Sequence, residues 1–228
     1  APAAMRALST REHDDLVRSV TAIHARSSGL LEFVQAYRSF ANLPFPSFAE
    51  VAVLPLLERV GALMSEEVST RRITLAVHCS DAGLRIHVDP HQVEQVLINL
   101  MKNGAESIAQ AHLPAARRNV ELRVLPKQIK GQSMVEFSVL DSGNGLSPEV
   151  MARLYDAFYS TKVEGMGIGL KLCRSIIESH QGRMEAVNLY NGDEVVGCRF
   201  DFWLPVVPML SPAASASESI VANHVGIQ

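Results

Sequence analysis

Apolar residues recur at intervals of three, four and seven across residues 8–41: Leu16, Val20, Ile23, Leu30, Leu31, Val34, Tyr37 and Phe40. A turn of 3.6 residues puts those positions on one face, so the segment is read as one long amphipathic helix. It stops at Asn42-Leu43-Pro44-Phe45-Pro46, where two prolines block continuation. A stripe that long must be buried against something, and a two-helix hairpin from a dimeric bundle would do it.

Beyond the prolines the period changes. Residues 52–65 read as a short helix. Ile73–Cys79 and Leu84–Val88 alternate like strands and are expected to be joined by the turn Ser80-Asp81-Ala82-Gly83. Asp89 followed by Pro90 announces a helix carrying Val93, Val96, Leu97, Leu100 and Met101 on one face. Val120–Leu125 and Val135–Leu140 are further strands around a polar turn at Lys127–Ser133. A glycine loop at Asp141–Gly145, a short helix from Pro148 and a second glycine cluster at 165–169 follow. A helix from about Ile168 to His180 is closed by Gln181-Gly182. Strands near Arg183–Asn188 and Gly197–Trp203 finish the series, and 206–228 reads as a disordered tail rich in Pro, Ser and Ala. Helices and strands mix without a strict βαβ rhythm. The predicted class is α+β: a two-layer α/β sandwich, its mixed sheet covered on one face, preceded by the long helix.

Composition narrows the function classes. The net charge of −3 speaks against a strongly basic nucleic-acid binder. No apolar run approaches the roughly 20 residues of a spanning helix, and the first residues lack a signal-peptide core, so a cytoplasmic location is expected for this chain, whether or not the intact protein is anchored to a membrane. Cys79, Cys173 and Cys198 are odd in number and scattered, as reduced, buried thiols would be. His78, His87, His91, His112, His180 and His224 show no metal-ligand spacing, and His24 is read as a partly buried helix residue.

The chemistry sits in four segments. Asn99 and Asn103 are four apart, so they share a helix face and can offer amide oxygens to a cation and phosphates; alone they would be two solvated amides. Asp141 ends an apolar strand before Ser-Gly-Asn-Gly; by itself it is a turn cap, yet a carboxylate there can accept from an exocyclic amine while Gly143 and Gly145 allow close backbone approach. Gly165, Gly167 and Gly169, with Ile168 and Leu170, lead into a helix whose first N–H groups can cradle phosphate, unless the stretch is only a mobile linker. Lys162 either reaches a phosphate or is surface charge.

Together these segments resemble the ATP-binding domain of histidine kinases, gyrases, mismatch-repair ATPases and large heat-shock chaperones. QVLINLMKNGAESI at 95–108 resembles the histidine-kinase N box, and LDSGNGLS at 140–147 the first glycine box. LYDAFYSTK at 154–162 resembles the F box, and GMGIGLKLCRSII at 165–177 the second glycine box. They stand in the family's order within residues 50–204.

The resemblance implies that Asn103 ligates Mg²⁺, Asn99 lies near the phosphates, Asp141 binds adenine and the 165–169 turn takes the triphosphate. The stretch from Phe158 to Gly165 would be a short ATP lid, with Phe158 anchoring it by packing. Two departures matter. Asn99 stands where gyrase-like and chaperone-like ATPases carry the Glu that activates water, which favours transfer to a side chain over hydrolysis. Gly104-Ala105 follows Asn103 where Ala commonly comes first, and only a slight loosening of the helix is expected.

His13 before Asp14-Asp15 superficially fits a phosphoacceptor, but the segment up to the prolines is too short for a full hairpin. FVQAYRSFANLPFP at 33–46 instead resembles the end of the hairpin's second helix, so the acceptor histidine is expected upstream. The expected division is 1–46 for the hairpin remnant, 47–205 for the ATP-binding domain and 206–228 for the tail. The expected activity is transfer of the γ-phosphoryl of ATP to that histidine and relay to a response-regulator aspartate. The implied partners are ATP/ADP, a receiver domain and a second copy in a homodimer. The alternatives are a gyrase- or chaperone-type ATPase, a nucleotide-binding scaffold, and a serine-directed anti-sigma kinase, against which the long helix speaks.

Overall fold

Strands form where β-branched and aromatic residues alternate with polar ones, and helices where the apolar period lengthens. The computed structural model describes residues 15–21, 23–24, 27, 34, 43–162, 165 and 167–206. In order, these give β1 (Ala49–Ala52), α1 (Val53–Thr70), β2 (Thr74–Cys79), β3 (Arg85–Val88), α2 (Pro90–Gln110), β4 (Asn119–Ile129) and β5 (Gln132–Asp141). Then follow α3 (Pro148–Ala152), α4 (Gly169–Ser179), β6 (Arg183–Asn191) and β7 (Glu194–Pro205). The main sheet runs β2-β4-β5-β7-β6. Only β2 and β4 are parallel in it; the other neighbours are antiparallel.

The mixed sheet and the α+β class are as expected, but one pairing is not. β2 and β3 do not form a hairpin. β3 pairs antiparallel with β1 in a separate two-stranded ribbon, while β2 joins β4. Both are short strands with apolar alternation, and nothing local chooses a partner; the choice falls to whichever edges the helices leave open. Helix α1 runs to Thr70, past the expected end at 65, and β1 lies just before it.

Helices α1, α2 and α4 cover one face of the sheet. Leu56, Leu57 and Val60 of α1 share a core with Leu97, Leu100 and Met101 of α2 and with Ile176 and Ile177 of α4. The sheet contributes Val120, Leu122, Phe137 and Phe202, the last two stacked with centroids 4.7 Å apart. Helix α2 therefore lies in the middle, touching α1, α4 and β5.

Where the chain joins this body, polar contacts hold it. Asp89 caps α2, accepting from the N–H groups of His91 (3.0 Å) and Gln92 (3.1 Å) on Oδ1 and of Ser47 (2.9 Å) on Oδ2. The Asp89 N–H donates to His180 Nε2 at 3.0 Å, and His180 Nδ1 lies 2.8 Å from the Ile176 carbonyl. Those partners assign His180 the neutral Nδ1–H tautomer. Phe48 stacks on His87 and meets His180 edge-on. Burial holds the His180 pKa below its ordinary value, in keeping with a neutral ring.

Of the helix expected over 8–41, residues 15–21, 23–24, 27 and 34 are described and all are helical; the rest lie outside the described residues. Leu16, Val20, Ile23 and Val34 are exposed there, and His24 is exposed rather than partly buried. The expected tail lies outside the described residues from 207 onward. Among the described residues no helix is long and apolar enough to cross a membrane, and no three or more His, Cys, Asp or Glu side chains are grouped so that they could hold a metal.

Candidate functional site

A cleft of about 1610 Å³ opens between α2, the end of β5, residues 159–162, 165 and 167–168, and the start of α4. Asn99, Asn103, Asp141, Gly145, Lys162, Gly165, Gly167, Ile168, Gly169 and Leu170 line it. Gly143, also expected there, does not line it; a Cβ on Gly143 would run into Ser107, which does. Residues far apart in sequence thus converge because β5 delivers Asp141 to the side of α2, and α4 starts beside the same helix.

Asp141 sits at the floor. It is 6% exposed and accepts from the Gly143 N–H at 2.8 Å and from the Cys198 N–H. Burial dominates and pushes its pKa up to about 6; the two N–H donors offset only part of it. The carboxylate is short of donors and faces a cavity, a state suited to a ligand that brings an N–H. The close packing under Asp141 explains Gly104. A Cβ there would lie 3.0 Å from the Asp141 Cβ, so this glycine lets β5 approach α2 rather than merely loosening the helix. Cys198 and Phe200 line the same floor, and burial pushes the Cys198 thiol up to about 12, so it stays protonated.

At the other end of the cleft, α4 begins at Gly169 with Ile168 as its N-cap, and no side chain caps its first N–H groups. Those donors and the helix dipole face the cleft, an arrangement that suits an anion. Asn99 braces this turn: its Nδ2 donates to Cys173 Sγ at 3.2 Å and would lie 2.7 Å from a Cβ on Gly169. Gly167 takes φ +64 and its carbonyl accepts from the Phe158 N–H at 3.0 Å. Phe158 is therefore tied to Gly167 through its backbone. Its side chain is 58% exposed, so the expected packing anchor is not there. Its backbone takes a left-handed φ of 66.

Lys162 reaches across the mouth. Its ammonium donates to Asn103 Oδ1 at 2.8 Å and pairs with Glu106. A cation already stands in front of the Asn103 amide oxygen, so the donor set there is compatible with positive charge such as Mg²⁺. Of these residues, Glu106 and Ser107 escaped the sequence reading, although their spacing of three and four from Asn103 puts them on its face of α2. Cys198 and Phe200 left no comparable signal, because only the pairing of β5 with β7 brings them here.

The model for histidine kinase-, DNA gyrase B-, and HSP90-like ATPases matches residues 88–208. Sensor protein FixL of Bradyrhizobium diazoefficiens is 35% identical over 150 residues, which are 66% of this chain and 28% of that protein. The chain thus spans less than a third of that relative's length. Among solved structures, the catalytic domain of histidine kinase ThkA, nucleotide free, matches with TM-score 0.60 at 27% identity over 71% of this chain and 97% of that one. Full-length ShkA in complex with AMPPNP matches with TM-score 0.67 at 26% identity over 91% and 41% of the two chains.

Proposed function

The chain belongs to the histidine kinase-, DNA gyrase B- and HSP90-like ATPase family, as the ATP-binding catalytic domain of a sensor histidine kinase, and on that premise we propose that its cleft binds Mg-ATP for transfer of the γ-phosphoryl to a histidine. The observation that carries this is Asp141, a buried, donor-poor carboxylate facing a cleft whose far end is an uncapped helix start. In this reading Asp141 accepts from the adenine amine, and Gly143 and Gly145 keep the surrounding backbone close. The N–H groups at Gly167, Ile168, Gly169 and Leu170 hold phosphate oxygens. Asn103 would hold Mg²⁺, which supplies neutralisation of the developing phosphate charge. Asn99 positions the α4 start and lies near the phosphates. Lys162 offers a further charge to the phosphates.

The acceptor imidazole nitrogen would attack phosphorus in line, the bond to the β-phosphate oxygen would break, and ADP would leave. The domain's part is to orient and neutralise. No carboxylate stands at position 99 to activate water, which fits transfer better than hydrolysis. We read 1–46 as part of a dimerisation hairpin whose acceptor histidine lies upstream. Its exposed apolar residues Leu16, Val20 and Ile23 suit a helical partner in a homodimer. Domain 47–205 then serves that hairpin in the cytoplasm, 206–228 follows as a tail, and the phosphoryl passes to a receiver aspartate, as it would in two-component signalling.

Calorimetric titration with ADP and a non-hydrolysable ATP analogue, with and without Mg²⁺, tests the reading. Wild type is expected to bind with Mg²⁺, and Asp141→Asn and Asn103→Asp to lose most of that affinity. Unchanged affinity in both variants would remove the cleft as the nucleotide site.

A further inference from the structure

Glu106 stands one helical turn beyond Asn103 on α2, and its carboxylate pairs with the ammonium that also donates to Asn103 Oδ1. Ser160 and Gly165 hold the backbone at that lysine. The Ser160 hydroxyl accepts from the Lys162 N–H at 3.1 Å, and the Gly165 N–H donates to the Lys162 carbonyl at 3.2 Å. The side chains of Lys162 and Glu106 are 34% and 36% exposed, so the pair faces the cleft and remains within reach of solvent and ligand. One cation already occupies the front of the Asn103 oxygen, and a divalent ion cannot share that spot with an ammonium. A triphosphate brought in beside Glu106 would meet a like charge unless something neutralises it.

We propose that Glu106 is a positioning residue which parks Lys162 in front of Asn103 while the cleft lacks nucleotide, and that Lys162 changes partner to a phosphate oxygen when Mg-nucleotide binds. This rests on the reading of the cleft as a Mg-nucleotide site. Glu106 then sets how strongly nucleotide binding depends on metal. Without metal, it both repels the phosphates and withholds the lysine. With metal, Asn103 would hold the divalent ion, whose charge would offset the Glu106 carboxylate, and Lys162 would then be free to pair with the ligand.

The test is a set of ADP affinities measured calorimetrically in Mg²⁺ and in EDTA for wild type, Glu106→Gln, Lys162→Met and the double variant. Glu106→Gln is expected to tighten metal-free ADP roughly fivefold, the scale of one partly exposed ion pair, and to change Mg-ADP much less. The ratio of the two affinities therefore falls. In the Lys162→Met background most of that tightening should vanish, because the lysine carries it. A merely structural Glu106 would alter both affinities by one factor and leave the ratio alone, which overturns the proposal. Full tightening in the Lys162→Met background also overturns it, since repulsion alone would then explain the effect. Wild type that binds no ADP even with Mg²⁺ would remove the nucleotide reading and this inference together, so the two failures look different.

Discussion

Asp89 and Asp141 are both buried aspartates, 8% and 6% exposed, each at the edge of a regular element, yet their acidities move in opposite directions. Burial alone would raise both. At Asp89 the N–H groups of Ser47, Gln92 and His91 outweigh it, and the pKa falls below the ordinary carboxylate value. At Asp141 the N–H groups of Gly143 and Cys198 fall short, and the pKa rises to about 6. The difference teaches that burial alone does not set a carboxylate's acidity; the number of backbone N–H donors that reach it does. Asp89 has its charge fully solvated by backbone; Asp141 is left with unmet demand, opening on a cavity.

That contrast can be broken first at Asp89. Asp89→Ala leaves the Ser47, His91 and Gln92 N–H groups without their acceptor, and about 3 kcal/mol of unfolding free energy should be lost in urea titrations. Since the native pKa of Asp89 is lowered, its contribution is present above the unfolded carboxylate value and disappears as pH falls through the native one. A loss below 1 kcal/mol would mean the cap is replaceable and the comparison wrong.

Asp141→Asn should behave the other way. ADP affinity falls roughly 30-fold as a charge-assisted hydrogen bond is lost, while thermal stability at pH 7 to 8 rises. The sign follows from linkage. A native pKa of about 6 lies above the unfolded value, so Asp141 favours folding at acid pH and loses that contribution as pH rises through 6, a cost of up to about 3 kcal/mol. In wild type the same titration should weaken ADP binding about tenfold between pH 7 and pH 5, with no such slope in Asp141→Asn. A destabilised Asp141→Asn protein would show that the carboxylate is structural after all.

The smallest effect concerns His180. Its pKa is lowered by burial, so the folded state takes up its proton later than the unfolded chain does. Stability from this residue is present above its ordinary pKa and is lost as pH falls below it. Asp141→Asn should therefore make the acid loss steeper, by removing an opposing slope, and His180→Gln should flatten it. Melting curves between pH 7 and pH 5 decide the matter.

Much of the site could be read one residue at a time. The Asp89-Pro90 helix start, the four-residue step from Asn99 to Asn103 and the glycines before α4 are local signals, because caps, helix faces and turn geometry are set by neighbours in the chain. Even the close of α4 was legible, though Gln181, not Gly182, takes the left-handed conformation, while Gly182 is needed where a Cβ would meet the Trp203 carbonyl. The helical class of the N-terminal segment followed from period alone at the positions described.

What the sequence determined by itself, then, was the family's elements and most of the residues that meet in the cleft. Tertiary structure alone decided that β3 leaves β2 for β1, that Phe158 points outward, that Gly104 makes room for Asp141, and that Lys162 finds Glu106 across 56 positions of chain. The physical reason is the range of the forces. Hydrogen bonds to neighbouring backbone and the sterics of φ act within a turn or two. Desolvation, ion pairing and strand partnership depend on which surfaces the whole fold brings together, so the acidity of Asp141 and the partner of Lys162 exist only once it has closed.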